Sequence, residues 1–253
     1  MLYNVRYGTG TGPGFNFPVP FMGYLRRTTN NLERIIDFIR SQSPDIIGLV
    51  EVDIGSFRTR RENQAEVIAE ALGHFHCYQS KYAAWSFAQF IPVLNKQVNA
   101  FLSSDVIRNE KFHYFDRGIK RLVIELELED LTVFLVHLSI KFRHRQEQLR
   151  ELYEMVKNVK KPLIVAGDFN PIWGDREMDL FLAATGLKNA NAGGVPSYPS
   201  RAPRRQMDFI LHNSQIEVTR FEIPEVVLSD HLPLICDFEI RPAAGDEAPR
   251  PVS

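Results

Sequence analysis

Apolar residues recur at helical spacing in three places along the chain. Leu32, Ile35, Ile36 and Ile39 fall at i, i+3, i+4 and i+7, and Ser43-Pro44-Asp45 ends the stripe, because a proline disfavours helical backbone in the residue before it. Ala65, Ile68, Ala69 and Leu72 predict a second helix over 63–72. Leu149, Leu152, Tyr153, Val156 and Val159 predict a third over 143–159, closed by Lys160-Lys161-Pro162. Elsewhere the period shortens. Runs at 2–6, 46–52, 75–80, 97–103, 106–115, 120–129, 131–138, 162–167, 206–212, 215–222 and 233–240 read as strands. LVIELELE and LTVFLVHL, separated by Asp130, suggest a hairpin whose first strand alternates and whose second is almost continuously apolar. Many strands with a few helices between them are buried best by two sheets packed face to face with helices outside.

Three segments fit neither period and read as loops: 8–23, rich in Gly and Pro; 82–92, rich in aromatics; and 193–205. From Arg241 onward, RPAAGDEAPRPVS has the composition of a disordered tail. At 253 residues, length alone allows one large domain or two fused halves. An apolar content of 44% with 18 Phe supplies a sizeable core and excludes a disordered chain.

Charge narrows the partners. A net charge of −1 gives no global basic field for nucleic acid, so a polyanionic partner has to be met locally. Cys77 and Cys236 lie far apart among apolar neighbours and read as two buried free thiols. No run approaches a membrane span and the first residues lack the pattern of a signal peptide. The expectation is a cytoplasmic protein, or an exported one if these residues are a trimmed form of a longer chain. Nothing in the sequence asks for an obligate protein partner.

The chemistry sits where apolar strands stop. Asn4 stands near the end of the first strand, Glu51 follows IIGLV, His137 follows VFLV, and Asp168 and Asn170 follow LIVAG. Asp208 precedes FIL, and Asp230 with His231 precedes LPLI. A lone carboxylate at a strand end is usually solvated or caps a turn. Several converging at one rim would repel each other and lose hydration, a conflict that a bound divalent cation resolves. Glu, Asp and Asn oxygens, without a Cys or His-rich cluster, favour Mg2+ or Mn2+ over zinc.

In order, YNVRYG, GLVEVD, VHLS, GDFN, QMDFIL and SDHLPL resemble the motifs of the metal-dependent endonuclease/exonuclease/phosphatase superfamily over Asn4 to Leu234. The resemblance implies an α+β fold: a four-layer α/β/β/α sandwich of two mainly antiparallel sheets with helices on the outer faces, as one domain over 1–240 with 241–253 as tail. It also implies a Mg2+-dependent phosphoesterase, expected to be a phosphodiesterase, in which an activated water attacks phosphorus in line.

On this reading Glu51, with Asn4 beside it and Asp230, holds the metal. Asp168 and Asn170 face the scissile phosphate, His231 acts on the phosphate or as general base, oriented by Asp208, and His137 contacts the phosphate or acts as acid. A His at 137 and Arg6 in place of an Asp both depart from the abasic-site endonucleases of the superfamily. GLVEVD also lacks the Gln that commonly precedes the motif Glu. Nucleic acid, phospholipid and inositol phosphate all stand as substrates, and a non-catalytic module with the same fold is the rival reading. Arg6, Arg201, Arg204 and Trp85 are candidate substrate contacts, although Arg201 and Arg204 in a Pro-rich loop, like Arg58, Arg60 and Arg61, are more simply read as solvated. Trp85, Phe87, Phe90 and Ile91 read as an apolar lip for a lipid tail, as a stacking platform for a base or, more plainly, as a loop packed back on the sandwich. His74, His76, His113, His144 and His212 have no motif around them.

Overall fold

The computed structural model describes residues 1–11, 29–56, 59–80, 96–118, 120–172 and 176–241. Its strands form two large sheets and a ribbon. In chain order they are β1 (Leu2–Asn4), β2 (Ile46–Asp53), β3 (Phe75–Ser80), β4 (Gln97–Ser103), β5 (Asn109–Tyr114), β6 (Leu122–Glu127), β7 (Thr132–His137), β8 (Leu163–Asp168), β9 (Lys188–Asn189), β10 (Asp208–His212), β11 (Ile216–Glu222) and β12 (Ile235–Ile240). The helices are α1 (Thr29–Gln42), α2 (Gln64–Leu72), α3 (Phe142–Val156) and α4 (Arg176–Thr185).

Sheet order is β1-β2-β4-β3 in the smaller sheet and β5-β6-β7-β8-β10-β9 in the larger, with β11 and β12 paired separately. Most neighbours are antiparallel. The exceptions, β1 with β2 and β7 with β8, are parallel, and they matter most. A parallel pair delivers two strand C-termini to the same rim, whereas an antiparallel pair sends them to opposite rims.

Alternation along the strands builds four layers. On β7, Val133 and Leu135 join Leu2, Val50, Phe101, Ile164, Ala166 and Ile210 between the sheets. Phe134 and Val136 point the other way, against Leu149 and Leu152 of α3 and Met178 and Phe181 of α4. This two-sided burial explains why β7 reads as a nearly unbroken apolar run. On β2, Ile47 and Leu49 face Ile35 and Ile39 of α1 and Ile68 and Ala69 of α2. The expected sandwich with outer helices is therefore the observed fold.

Local boundaries differ in instructive ways. The third stripe was expected to run as helix to 159, but α3 ends at Val156; a turn bonds the Val159 amide to Val156 O and keeps Val159 on the same apolar surface. The first strand stops at Asn4 rather than 6, because Arg6 and Tyr7 adopt φ of 43° and 57° in a short 3₁₀ turn. Both α4 and the two-residue β9 lack a sequence expectation. Cys77 is buried as expected, whereas Cys236 is only half-buried. The loop expected at 193–205 is described and contains a cis Tyr198-Pro199 bond and a Tyr198–Arg205 bridge. No helix among the described residues is long and apolar enough to cross a membrane.

Candidate active site

Parallel pairing sets the site's floor. Register places Asn4 beside Val50, one residue before Glu51, at the end of the β1–β2 pair. In the other sheet it places His137 beside Asp168, and antiparallel β10 brings Asp208 to the same Asp168. Asn4 Nδ2 donates to Asp168 Oδ2 at 3.2 Å, joining the two sheets at this rim.

Two backbone distortions aim side chains into that rim. The β2–β4 register slips between Leu49 and Val52, and Glu51 inside the slip has φ of 59°. Such a bulge turns one side chain out of the alternation, and here it frees the Glu51 amide from the ladder, which donates to Asn99 Oδ1 at 3.4 Å. Asn170 has φ of 52°, its amide donates to Asp168 Oδ1 at 3.1 Å, and its side chain donates to Leu138 O at 3.1 Å. Gly167 is required by the close approach of β7: a Cβ there would lie 2.0 Å from Val136 O.

Burial and charge define what these groups can do. Asn4, His137, Asp168, Asn170, Asp208 and His231 are all buried, and Glu51 and Asp230 are partly exposed. His137 Nε2 stands 3.3 Å from Asp168 Oδ2 and 3.9 Å from Glu51 Oε1. Burial by itself would raise the Asp168 carboxyl, but the hydrogen bond and charge of His137, helped by His231 and Lys120, hold it well below the usual carboxylate range. His231 Nδ1 meets Asp208 Oδ2 at 2.8 Å, an oxygen that also accepts from Ser197 Oγ at 2.6 Å, and His231 Nε2 lies 4.0 Å from Asp168 Oδ2. Burial disfavours the imidazolium, yet Asp208, Asp168 and Asp230 together raise His231 to about 10. Burial also raises the Asp230 carboxyl; Glu51 pushes it further up while His231 and Arg6 oppose.

A hard divalent cation fits this donor set. Among the described residues, Asp168, Asp208 and His231 are the group of three whose ligand atoms lie within 4.8 Å of one another. Asp208 Oδ2, however, already serves His231 and Ser197, so these three read better as a hydrogen-bonded relay than as a metal cage. Glu51, Asp230 and the ionised Asp168 are the carboxylates that gain from a cation, because partly desolvated like charges repel.

The remaining expectations divide. Arg6 is at the site, but its guanidinium pairs with Asp230 Oδ2 at 2.9 Å and its amide donates to Asn4 Oδ1 at 3.1 Å. Arg201 and Arg204 are exposed on the loop that carries Ser197 and Tyr198, and Arg201 bonds Thr11 O. Trp85, Phe87, Phe90, Ile91 and Arg58 lie outside the described residues. Of the histidines without a motif, His74 bonds Leu72 O and Pro44 O, and His113 pairs with Glu125 at 2.7 Å.

Sequence reasoning missed Ser197, Tyr198, whose ring centroid is 4.8 Å from that of His231, and Lys120. It also missed Asn99 on β4. Asn99 left a signal: an amide in the middle of QVNAFL, a strand buried along its whole length.

The cleft between Met1, Pro44, Ile46, Leu131, Ile235 and Phe238, of about 780 Å³, is elsewhere. It opens at the start of β2, five residues and roughly 16 Å of extended chain from Glu51.

Comparison with known proteins bears on the fold and the family. The chain is 30% identical over 129 residues to the uncharacterized protein YbhP of Escherichia coli K12, a match covering 47% of this chain and 51% of YbhP, so the chain spans about half the length of the curated relatives it matches. Among solved structures it is similar to an endonuclease/exonuclease/phosphatase from Beutenbergia cavernae (19% identity, 95% of this chain and 70% of that one, TM-score 0.70). It is also similar to the Bacteroides thetaiotaomicron mannosyl-6-phosphatase Bt3783 (16%, 94% and 98%, 0.68). A third likeness is to the human Nocturnin catalytic domain with bound sulfate (21%, 85% and 88%, 0.64). A model of the endonuclease/exonuclease/phosphatase family matches residues 1–231, and the chain belongs to that family.

Proposed function

We propose that this chain is a phosphoester hydrolase, acting on phosphodiesters, that depends on Mg2+ or Mn2+, with residues 1–240 working as one catalytic unit. The observation that carries this reading is the buried constellation of Asp168, His137 and the His231–Asp208 pair from one sheet rim, facing Glu51 and Asn4 from the other.

Glu51 and Asp230, with Asn4 beside them, would hold the cation, which when bound supplies charge against the phosphoryl oxygens. A cation on Asp230 would offset one of the charges that raise His231, and Asp208 would keep the remaining proton on Nδ1. Nε2 is then the nitrogen left to take a proton from the attacking water. The 4.0 Å between His231 Nε2 and Asp168 Oδ2 suits two groups that share one water between them. Asp168, held ionised, accepts from that water and fixes its line of attack. His137 and Asn170, on the same rim, would donate to phosphoryl oxygens as charge develops.

The expected outcome of a screen over bis-p-nitrophenyl phosphate, plasmid DNA, RNA, phospholipid vesicles and inositol phosphates is Mg2+-dependent cleavage of at least one diester. EDTA and Asp168→Ala should both abolish it. Cation-independent turnover, or cleavage confined to carboxylic esters or amides, would overturn the proposal. The substrate profile separates nuclease from lipid or inositol phosphate hydrolase, and a nuclease should also bind its polymer with strong salt dependence.

A further inference from the structure

Lys120 has no place in the family motifs or in the roles above, yet its ammonium lies inside the constellation. Its Nζ is 3.6 Å from Glu51 Oε1 and lies against His137 Nε2. Its charge also contributes to holding Asp168 ionised. This is not a side chain resting on the surface: about a quarter of it is exposed (24%). The backbone beneath it is bolted down by a buried glutamine. Gln148 of α3 donates to Lys120 O at 2.7 Å and Arg117 O at 2.9 Å, and its Oε1 accepts from the Ser139 amide at 2.8 Å, two residues beyond His137. The segment before β6 and the segment after β7 are thus held as one piece, with Lys120 and His137 at its tip.

A monovalent cation among Glu51, Asp168 and His137 occupies the electrostatic niche that a divalent ion at Glu51 would fill. We propose that Lys120 is the site's resident counter-cation. It balances Glu51 when no metal is bound, opposes metal entry, and turns its ammonium to a phosphoryl oxygen of the substrate once the metal takes over the carboxylate. The four-carbon stem gives the reach for that exchange, and a lysine serves phosphate as a mobile point charge. The inference rests on the cation-dependent phosphoesterase reading and assigns that site one further catalytic residue.

The test compares wild type, Lys120→Met and Lys120→Arg by titration with Mn2+ alone and by kcat/KM for bis-p-nitrophenyl phosphate, with thermal unfolding of the metal-free proteins as the folding check. Removing one positive charge at this distance should tighten Mn2+ binding about tenfold in Lys120→Met. Loss of a phosphate donor should lower its kcat/KM by about tenfold or more. Lys120→Arg, which keeps the charge, should bind Mn2+ within about twofold of wild type. Opposite signs in the two measurements distinguish the proposal from general damage to the site, which would weaken both. Equal or weaker Mn2+ binding by a folded Lys120→Met, or an unchanged kcat/KM, would overturn it. If wild type itself takes up no Mn2+, the cation-site reading falls and this inference falls with it.

Discussion

The two ends of the sandwich use similar residues to opposite effect. At the end where β1, β2, β7 and β8 finish, Asp168, Asp208 and His231 are buried, and their hydrogen bonds run from 2.6 to 3.2 Å. Where β2 begins, the cleft has Asp45, Asp105, Glu129, Asp130 and Asp237 around it, but a charge such as Glu129 is mostly in water and pairs loosely with exposed Arg108 at 3.2 Å. Acidic residues occur at both ends; buried ones occur at one. A carboxylate that keeps its hydration has little reason to hold a cation, so the acidic residues around this cleft are chemically the quieter ones.

The sharpest way to break this contrast is to remove charge at the desolvated end. Asp168→Asn keeps shape and loses the anion, and diester hydrolysis under saturating Mg2+ should fall by at least about 10²–10³-fold, measured as kcat. A smaller loss would mean that Asp168 is structural. Next in size is the brace beside the site. Buried Arg145 makes a two-pronged pair with Glu177 at 2.8 and 2.7 Å and donates to Ser139 O and Ile140 O, tying the segment after His137 to α4. Arg145→Met strands the Glu177 charge and should cost about 3–5 kcal/mol of stability in urea unfolding.

Cys77, in the core between the sheets, gives a milder, pH-dependent signal. Burial, with the nearby Glu110 charge, raises its thiol from 9.0 to about 12. A raised pKa favours the folded state below the unfolded pKa and loses that contribution as pH climbs through the folded one. Stability should therefore decline between pH 9 and 12, and less steeply in Cys77→Ala. The smallest effect belongs to the other end. Glu129→Gln should change unfolding free energy by less than about 0.5 kcal/mol and leave turnover unaltered. A clear loss of activity there would erase the distinction between the ends.

Much of this was legible in the residue order. The three amphipathic stripes announced α1, α2 and α3; that the Asn63 side chain caps α2 and a left-handed Gly73 closes it came from the structure. Polar residues closing apolar strands marked Glu51, His137 and Asp168. What stayed hidden was hidden for physical reasons. Helix α4 spans ten residues and buries little beyond Glu177, Met178 and Phe181, too short a stripe to stand out. Lys120 and Ser197 belong to loops, where no period constrains a side chain and only contacts with distant elements give it a role.

The sequence by itself determined the layers, because hydrophobic spacing dictates which face of each helix and strand must leave water. It also named the chemical groups, since a run of strand-end carboxylates and histidines admits few uses. Only the tertiary structure decided how those groups meet. Parallel pairing put Asn4 and Glu51 on one rim and His137 and Asp168 on another, the bulge at Glu51 turned that carboxylate inward, and a glutamine on α3 held Lys120 among them. Each of these depends on strand register and packing between residues far apart in the chain, which local patterns of polarity do not encode.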